Sequence, residues 1–428
     1  MNLVVVGAGF VGLVTAAVFA DFKNKVWVVD VDKKKIKDII SGKMPFYEPG
    51  LDSLISKNIK AGRLNFTDSY SQAIPSAEII FICVGTPNKN KKINLSYLYS
   101  AINSVARNLK KPSIIVIKST VPPGINEKLR ILIKKVSKVD FDLASMPEFL
   151  KEGKALEDTL HPYRVIVGSS KKFVVDRLLK LHKPISGKRL ICDEISAQII
   201  KYASNAFLPT KISFANAIAI LCDKLNAQTD KVLKGLGMDR RIGSEFLKAG
   251  IGYGGSCFPK DIEALVTFSE GLGYDFCLLK AVKKINDNQV NYFIEKLKKL
   301  MDNSLRNKRI VILGLSFKPE TSDIRESRSL YVIKKLKKLK AEIRACDPIA
   351  IKETKKEIKG VRFFTDPYKA LKGASALFLL TEWQEYQNLD FNKIKKLMKE
   401  PIVIDGRNIY NRLKLERLGF IYEGLGKN

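Results

Sequence analysis

The opening stretch NLVVVGAGFVG (residues 2–12) constrains the fold of this chain more than any other. A run of aliphatic residues breaks at Gly7, and glycines recur at Gly9 and Gly12. A strand, a tight turn and a helix in that order need this spacing around a dinucleotide. The first glycine makes the turn, the second admits the pyrophosphate, and the third packs helix on strand. Phe10 and Val11 fill the positions between them and open the helix. A second strand, KVWVVD, ends in Asp30, eighteen residues beyond Gly12. A carboxylate there accepts hydrogen bonds from the adenosine ribose and repels a 2′-phosphate, which selects NAD over NADP. Residues 3–20 carry no charge, but no positive segment precedes them and glycines interrupt them, so we reject a membrane span or signal peptide.

Two more apolar runs, AEIIFICVGTP (77–87) and PSIIVIKSTVPPG (112–124), read as parallel strands covered on both faces. Each ends in Thr, Ser, Pro or Gly, at the carboxyl edge where open α/β sheets bind ligands. The C-terminal third repeats the plan loosely. RIVILGLSFKP (309–319) is a strand and glycine turn, AEIRACDP ends a strand at Asp347, and ALFLLTEW and PIVIDGRN supply further strands. Its first turn lacks the full glycine pattern, so this half is expected to bind something other than a whole dinucleotide. Helical periodicity dominates residues 196–300. One long amphipathic helix there contains Pro209, expected to kink it, and carries Lys201 and Asn205 at i, i+4 on a common face. That face is either a surface stripe or an inward polar pair, and spacing alone does not choose.

The expected fold is therefore α/β, with two doubly wound parallel-sheet domains joined by a central helical domain and a long connecting helix. The boundaries fall at 1–195, 196–300 and 301–428. Within the central segment, GYGGSCFPKD (252–261) places a cysteine behind a glycine cluster and ahead of Pro259, a helix-start signal. Cys257 would then sit near the positive end of a helix dipole, which favours its thiolate. The other reading is a structural thiol beside a flexible turn.

Charge and cysteine usage narrow the function classes. The formal charge of +31 comes largely from lysine, in runs at 33–35, 89–92 and 334–340. These runs lack aromatic interleaving and no familiar nucleic-acid module accompanies them, so neither nucleic acid nor a membrane is the expected partner. The six cysteines have no CxxC spacing, and with two histidines they cannot assemble a zinc cluster, so no metal is expected. The pattern fits reduced thiols in the cytoplasm.

Taken in order along the chain, these motifs resemble the UDP-glucose/GDP-mannose dehydrogenase family. The resemblance implies two Rossmann-like domains, binding NAD and a UDP-sugar respectively, and a homodimer paired through the central helices. It implies oxidation of a sugar C6 alcohol to a carboxylate with two NAD, UDP-glucose being the small-molecule substrate. By matched motif it assigns GAGFVG, Asp30, Lys35, Thr86 of VGTP, Thr120 of KST, Glu152, Lys260 and Arg325 to the cofactor. In PEFLKEG it assigns Glu148 to the reacting carbon, and Phe149 and Leu150 to the nucleotide sugar. Cys257 corresponds to the nucleophile and Asp261 to its supporting carboxylate. Lys201 and Asn205 correspond to the catalytic-helix pair, and Thr120 lies near the chemistry. Tyr253, Gly254, Phe258, Lys318 and Arg407 fall on the substrate side, with Arg241 reaching the sugar nucleotide of the neighbouring subunit. Three positions depart from the family pattern: His161 in place of asparagine, Ala217 in place of glutamate, and Pro209.

The implied chemistry gives Cys257 its purpose. An aldehyde has no oxyanion with which to expel a second hydride, whereas its thiohemiacetal has one. The resulting thioester is released by water. The competing expectations are a sibling enzyme acting on GDP-mannose or a UDP-N-acetylhexosamine, a one-step 2-hydroxy-acid dehydrogenase, and an NAD-fold protein that binds nucleic acid or anionic surfaces.

Overall fold

The computed structural model describes residues 1–89 and 92–426; Asn90 and Lys91, within the second lysine run, lie outside the described residues. The chain forms two compact units, Met1–Ser204 and Asn205–Asn428. The boundary falls inside one helix, Glu194–Leu225, which continues through Pro209.

The first unit is built on strands β1 (Asn2–Val6), β2 (Lys25–Val29), β3 (Leu64–Thr67), β4 (Ile79–Ile82), the short β5 (Asn88–Lys89) and β6 (Lys92–Ile93), β7 (Ser113–Ile117), β8 (Phe141–Ser145), β9 (Arg164–Gly168) and β10 (Lys188–Cys192). All but β5 and β6, which pair with each other, join one sheet in the order β10-β9-β8-β7-β4-β1-β2-β3. From β3 to β8 this is the strand order of a dinucleotide-binding sheet, with parallel neighbours. The uncharged segment 3–20 is β1 followed by the helix Phe10–Asp21, whose residues 12–20 are all buried. That helix is apolar on every side because core covers it on every side. Each valine or isoleucine taken out of water by these strands contributes about 1.5–3 kcal/mol.

Within this eight-stranded sheet the parallel expectation has one exception. β9 meets β8 in an antiparallel sense, Ser145 opposite Gly168. An antiparallel neighbour returns from the end at which the previous strand finished. Residues 146–163, including the short helix Ala155–Leu160, therefore stay at the carboxyl edge of the sheet. The segment PEFLKEG is kept at the ligand edge by topology.

The second unit contains the rest of the long helix, the helices Thr229–Met238, Phe258–Gly271 and Cys277–Lys299, and a six-stranded sheet with further helices, such as Arg328–Lys338, between its strands. Its strands are β11 (Arg309–Leu313), β12 (Glu342–Cys346), β13 (Arg362–Phe364), β14 (Ala376–Leu379), β15 (Ile402–Asp405) and β16 (Ile421–Glu423). Their order, β13-β12-β11-β14-β15-β16, repeats that of the first sheet, and every pairing is parallel. Asp347 ends β12 as Asp30 ends β2, but its surroundings differ. It is wholly buried, and its two oxygens accept the main-chain N–H groups of Leu315, Ser316, Ile349 and Ala350 and the indole N–H of Trp383. A carboxylate saturated by its own chain has nothing to offer a ribose, which fits the broken glycine pattern of that turn.

Candidate active site

The nucleotide turn is shaped by what cannot fit there. Gly7 has φ +105°, and a Cβ on it would lie 2.8 Å from the carbonyl oxygen of Cys83. A Cβ on Gly12 would lie 1.9 Å from the carbonyl oxygen of Gly7. At Gly9 a Cβ would meet nothing within 4 Å, so the space there is left by the protein and not filled by it. Gly9 is also the N-cap of the helix Phe10–Asp21 and offers no side chain to its first N–H groups. Open donors at a helix N-terminus suit an anion. Asp30, 9% exposed, accepts the Ala8 N–H at 2.8 Å, the Asp32 N–H at 3.0 Å and the Lys35 ammonium at 3.0 Å. These residues fit NAD: open donors for the pyrophosphate and a fixed carboxylate for the ribose. The motifs VGTP and KST meet beside the turn, where the Thr86 hydroxyl donates to the Thr120 carbonyl at 2.8 Å.

The PEFLKEG segment is fastened at both ends. Glu148 accepts the Leu150 N–H at 2.6 Å and the Lys201 ammonium at 2.9 Å, and Lys201 also donates to the Glu148 carbonyl at 2.7 Å. Burial opposes the charged form of Glu148. The Lys201 ammonium, the Leu150 N–H and the Lys118 cation outweigh it and hold the carboxyl below its usual range. Phe149 lies under the Arg164 guanidinium, 4.0 Å from its ring centre. Glu152 is half-buried. At the other end the buried Glu48 accepts the N–H groups of Gly153 at 2.7 Å and Ala155 at 2.6 Å. Glu48 was not singled out in the sequence, where it stands far from the segment it anchors. Ser119, Thr120, Val121, Pro147, Gln198 and Lys201 line a small depression beside this loop.

The long helix turns Lys201 and Asn205 inward; both are buried, at 4% and 7% exposure. Of the two arrangements open to their spacing, the structure adopts the inward polar pair. Asn205 donates to Asp261 at 2.7 Å, and Lys260 reaches the other oxygen of Asp261 at 2.6 Å. Asp261 is itself 1% exposed and lies in the first turn of the helix Phe258–Gly271. Cys257 is the N-cap of that helix, Pro259 occupies its start, and the Asp261 N–H closes the first turn onto the Cys257 carbonyl at 2.8 Å. The thiol is exposed, 3.6 Å from the Ser256 hydroxyl. Burial sets other cysteines apart from it, pushing the thiols of Cys83 and Cys346 up to about 12. Burial likewise pushes the His182 imidazole down to about 3.

Tyr253 and Gly254 are buried within the cysteine loop, and the Tyr253 ring meets Phe258 edge to face at 6.2 Å. Lys318 extends over the Phe317 ring. Arg407 is held tightly: its guanidinium donates to the carbonyls of Leu380 at 2.7 Å, Phe317 at 3.0 Å and Gly252 at 3.4 Å and pairs with Glu382. It therefore joins the carboxyl edge of the second sheet to the cysteine loop. Arg325 and Arg241 are exposed and paired with Asp323 and Asp239, each two residues away.

Three family models match the chain in succession. They describe the NAD binding domain (residues 1–186), central domain (195–288) and UDP binding domain (311–412) of the UDP-glucose/GDP-mannose dehydrogenase family. A UDP-glucose 6-dehydrogenase of Bacillus subtilis is 41% identical over 430 residues, covering 100% of this chain and 93% of that protein. A UDP-glucose 6-dehydrogenase of Rhizobium meliloti is 39% identical, covering 100% of both. Among solved structures, a UDP-glucose dehydrogenase from Pyrobaculum islandicum superposes with a TM-score of 0.93 at 34% identity, over 100% of this chain and 98% of that one.

The nucleotide turn yields a paired test. Gly12→Ala is expected to lower the melting temperature by several degrees, since its Cβ has no room, whereas Gly9→Ala keeps the fold and loses NAD affinity about tenfold or more. Calorimetry and NAD titration of both variants separate the two effects. A second test concerns Glu148. Its lowered pKa stabilises the fold at pH values above the unfolded carboxyl pKa, and that contribution disappears as pH falls through the lower folded value. Glu148→Gln is therefore expected to cost about 3 kcal/mol at neutral pH. Urea unfolding midpoints of the two proteins should draw together as the medium is acidified below about pH 4.

Proposed function

The chain belongs to the UDP-glucose/GDP-mannose dehydrogenase family, and on that premise we propose that it oxidises UDP-glucose to UDP-glucuronate with NAD as oxidant. The observation that carries the reading is an exposed cysteine capping a helix whose first turn holds a buried, fully paired aspartate. A dehydrogenase that stopped at the aldehyde would have no use for it. Glucose rather than an N-acetylated sugar or mannose is favoured by the UDP-glucose 6-dehydrogenases at 38–41% identity. A UDP-D-ManNAc dehydrogenase of Pyrococcus horikoshii is 28% identical.

NAD, when bound, accepts one hydride from the sugar C6 carbon in each of two oxidations. Gly9 and the N-terminus of the helix Phe10–Asp21 receive its pyrophosphate, and Asp30 its ribose. In the first oxidation the alcohol becomes an aldehyde. Lys201 and Asn205, one turn apart, present N–H groups to the C6 oxygen as charge gathers on it. Preorganised donors of this kind are worth about 3 kcal/mol each in a transition state. The Cys257 sulfur then adds to the aldehyde carbon, forming a C–S bond and leaving the negative charge on oxygen. The positive end of the helix Phe258–Gly271 favours the thiolate that this step requires. Collapse of that oxyanion releases the second hydride and leaves a thioester on Cys257. Water adds to the thioester carbonyl, the C–S bond breaks, and the carboxylate departs. Glu148, held as a carboxylate, is our candidate to take the proton from that water.

The same reading assigns Phe149, Leu150, Tyr253, Gly254, Phe258, Lys318 and Arg407 to the sugar nucleotide, and Thr86, Thr120, Glu152, Lys260 and Arg325 to the cofactor. It also includes a homodimer. Phe207, Phe214 and Leu221 recur at heptad spacing along the long helix, with Leu225 one turn further, and all four are more than half exposed. Such an apolar stripe suits a second copy of the same helix, and Arg241 then reaches the partner's sugar nucleotide. None of the six cysteines, all of them among the described residues, forms a disulfide, which fits a reducing cytoplasm.

Coupled measurement of NADH and sugar nucleotide tests the reading. The unaltered protein should release two NADH for each UDP-glucose consumed, with little response to GDP-mannose or UDP-N-acetylhexosamines. Cys257→Ala should make no UDP-glucuronate; normal acid output from that variant would refute the covalent role.

A further inference from the structure

The segment that leads to Cys257 is irregular, yet its main chain is fastened at almost every residue. The Gly250 N–H donates to Asn216 Oδ1 at 2.8 Å, the Ile251 N–H to the Gly406 carbonyl at 2.7 Å, and the Gly255 N–H to the Arg325 carbonyl at 3.0 Å. Tyr253 is held in both directions by one side chain: its N–H donates to Asn286 Oδ1 at 2.8 Å and its carbonyl accepts from Asn286 Nδ2 at 3.2 Å. Asn286 lies on the helix Cys277–Lys299 and is 2% exposed. Its amide thus pairs with the loop as a neighbouring strand would. Gly252, at φ +101°, passes so close that a Cβ on it would lie 2.4 Å from Asn286 Oδ1. No other residue type fits that approach.

Cys257 therefore stands between two buried fastenings. After it, Asp261 is held by Asn205 and Lys260; before it, Tyr253 is held by Asn286. Between Tyr253 and the thiol run Gly254, Gly255 and Ser256, where the Gly255 N–H on the Arg325 carbonyl is a further tie that Asn286 works alongside. Asn286 hydrogen-bonds the loop at Tyr253, so what it can set is where the loop begins its final turn.

We propose that Asn286 is a positioning residue for the thiol-dependent second oxidation, acting through the Tyr253 main chain to hold Cys257 where it meets the aldehyde. This rests on the function proposed above. The first oxidation makes no bond to sulfur and is indifferent to the exact place of Cys257. In the second, the C–S bond must form before the second hydride can leave, so a displaced thiol lets the aldehyde escape unoxidised.

The test compares Asn286→Ala, which removes both hydrogen bonds, with Asn286→Asp, which keeps the acceptor for the Tyr253 N–H. In Asn286→Ala, UDP-glucuronate formation should fall by about 100-fold, the penalty of a reacting group misplaced by about an ångström. KM for UDP-glucose should change little. NADH per UDP-glucose should drop from two towards one, with the missing product captured as a semicarbazone. Asn286→Asp, which loses only the bond to the Tyr253 carbonyl, should fall between the alanine and the unaltered protein in acid output and NADH ratio, and that partial loss is the readout if the alanine protein does not fold. The rate of Cys257 alkylation by iodoacetamide, followed by peptide mass without substrate, should shift in step with the loss. A purely structural role would lower the melting temperature while leaving two NADH per sugar, no captured aldehyde and an unchanged alkylation rate; that outcome overturns the proposal. If unaltered protein failed to reduce NAD with UDP-glucose, the function itself would fall, whereas a wild-type product ratio in both variants would sink only the role of Asn286.

Discussion

A carboxylate almost closed off from water, Asp261, organises the site proposed around Cys257. An unpaired buried charge costs several kcal/mol, so Asp261 can occupy its place only with partners on both oxygens. Asn205 and Lys260 supply them. The consequence is geometric. The helix Phe258–Gly271 is pinned by its first turn to the long helix, and its N-cap, Cys257, is fixed with it. Lys201 stands one turn before Asn205 on the same long helix, paired with Glu148. One acid thereby sets the direction of a helix dipole, the place of a thiol and the reach of Asn205.

The two sheets show how one strand order serves different ends. Both end their second strand in an aspartate that gathers main-chain N–H groups from the turn after the first strand. Asp30 keeps an accessible edge and a lysine beside it; Asp347 is sealed under Trp383. Strand order is thus a property of packing, whereas ligand choice depends on whether a turn leaves its donors open.

Much of this was legible in the sequence because the signals are local. The strand, glycine turn and acid that precede and include Asp30 lie within one short stretch, and the apolar runs of both sheets are continuous. The position of Cys257 at a helix start followed from Pro259. What was not legible is contact between distant segments. Nothing near Glu48 announces that it will anchor Gly153, and nothing in the helix around Asn286 announces a grip on Tyr253. The reversal of β9 was hidden because a buried strand reads alike in either direction. Spacing left Lys201 and Asn205 undecided, since only the packed helix shows which way a common face points. The family resemblance assigned Arg407 to the substrate side, but its three carbonyl partners, from three separate segments, could not be read from the sequence.

The account depends on sulfur capturing the half-oxidised sugar, and the most direct measurement is the mass of a stalled adduct. With Cys257→Ser, a hydroxyl takes the place of the thiol and the ester it forms hydrolyses far more slowly than a thioester. After incubation with UDP-glucose and NAD, the account predicts that intact protein gains the mass of one UDP-glucuronyl group, located on the peptide containing residue 257. Unmodified protein releasing UDP-glucuronate at the unaltered rate would contradict it.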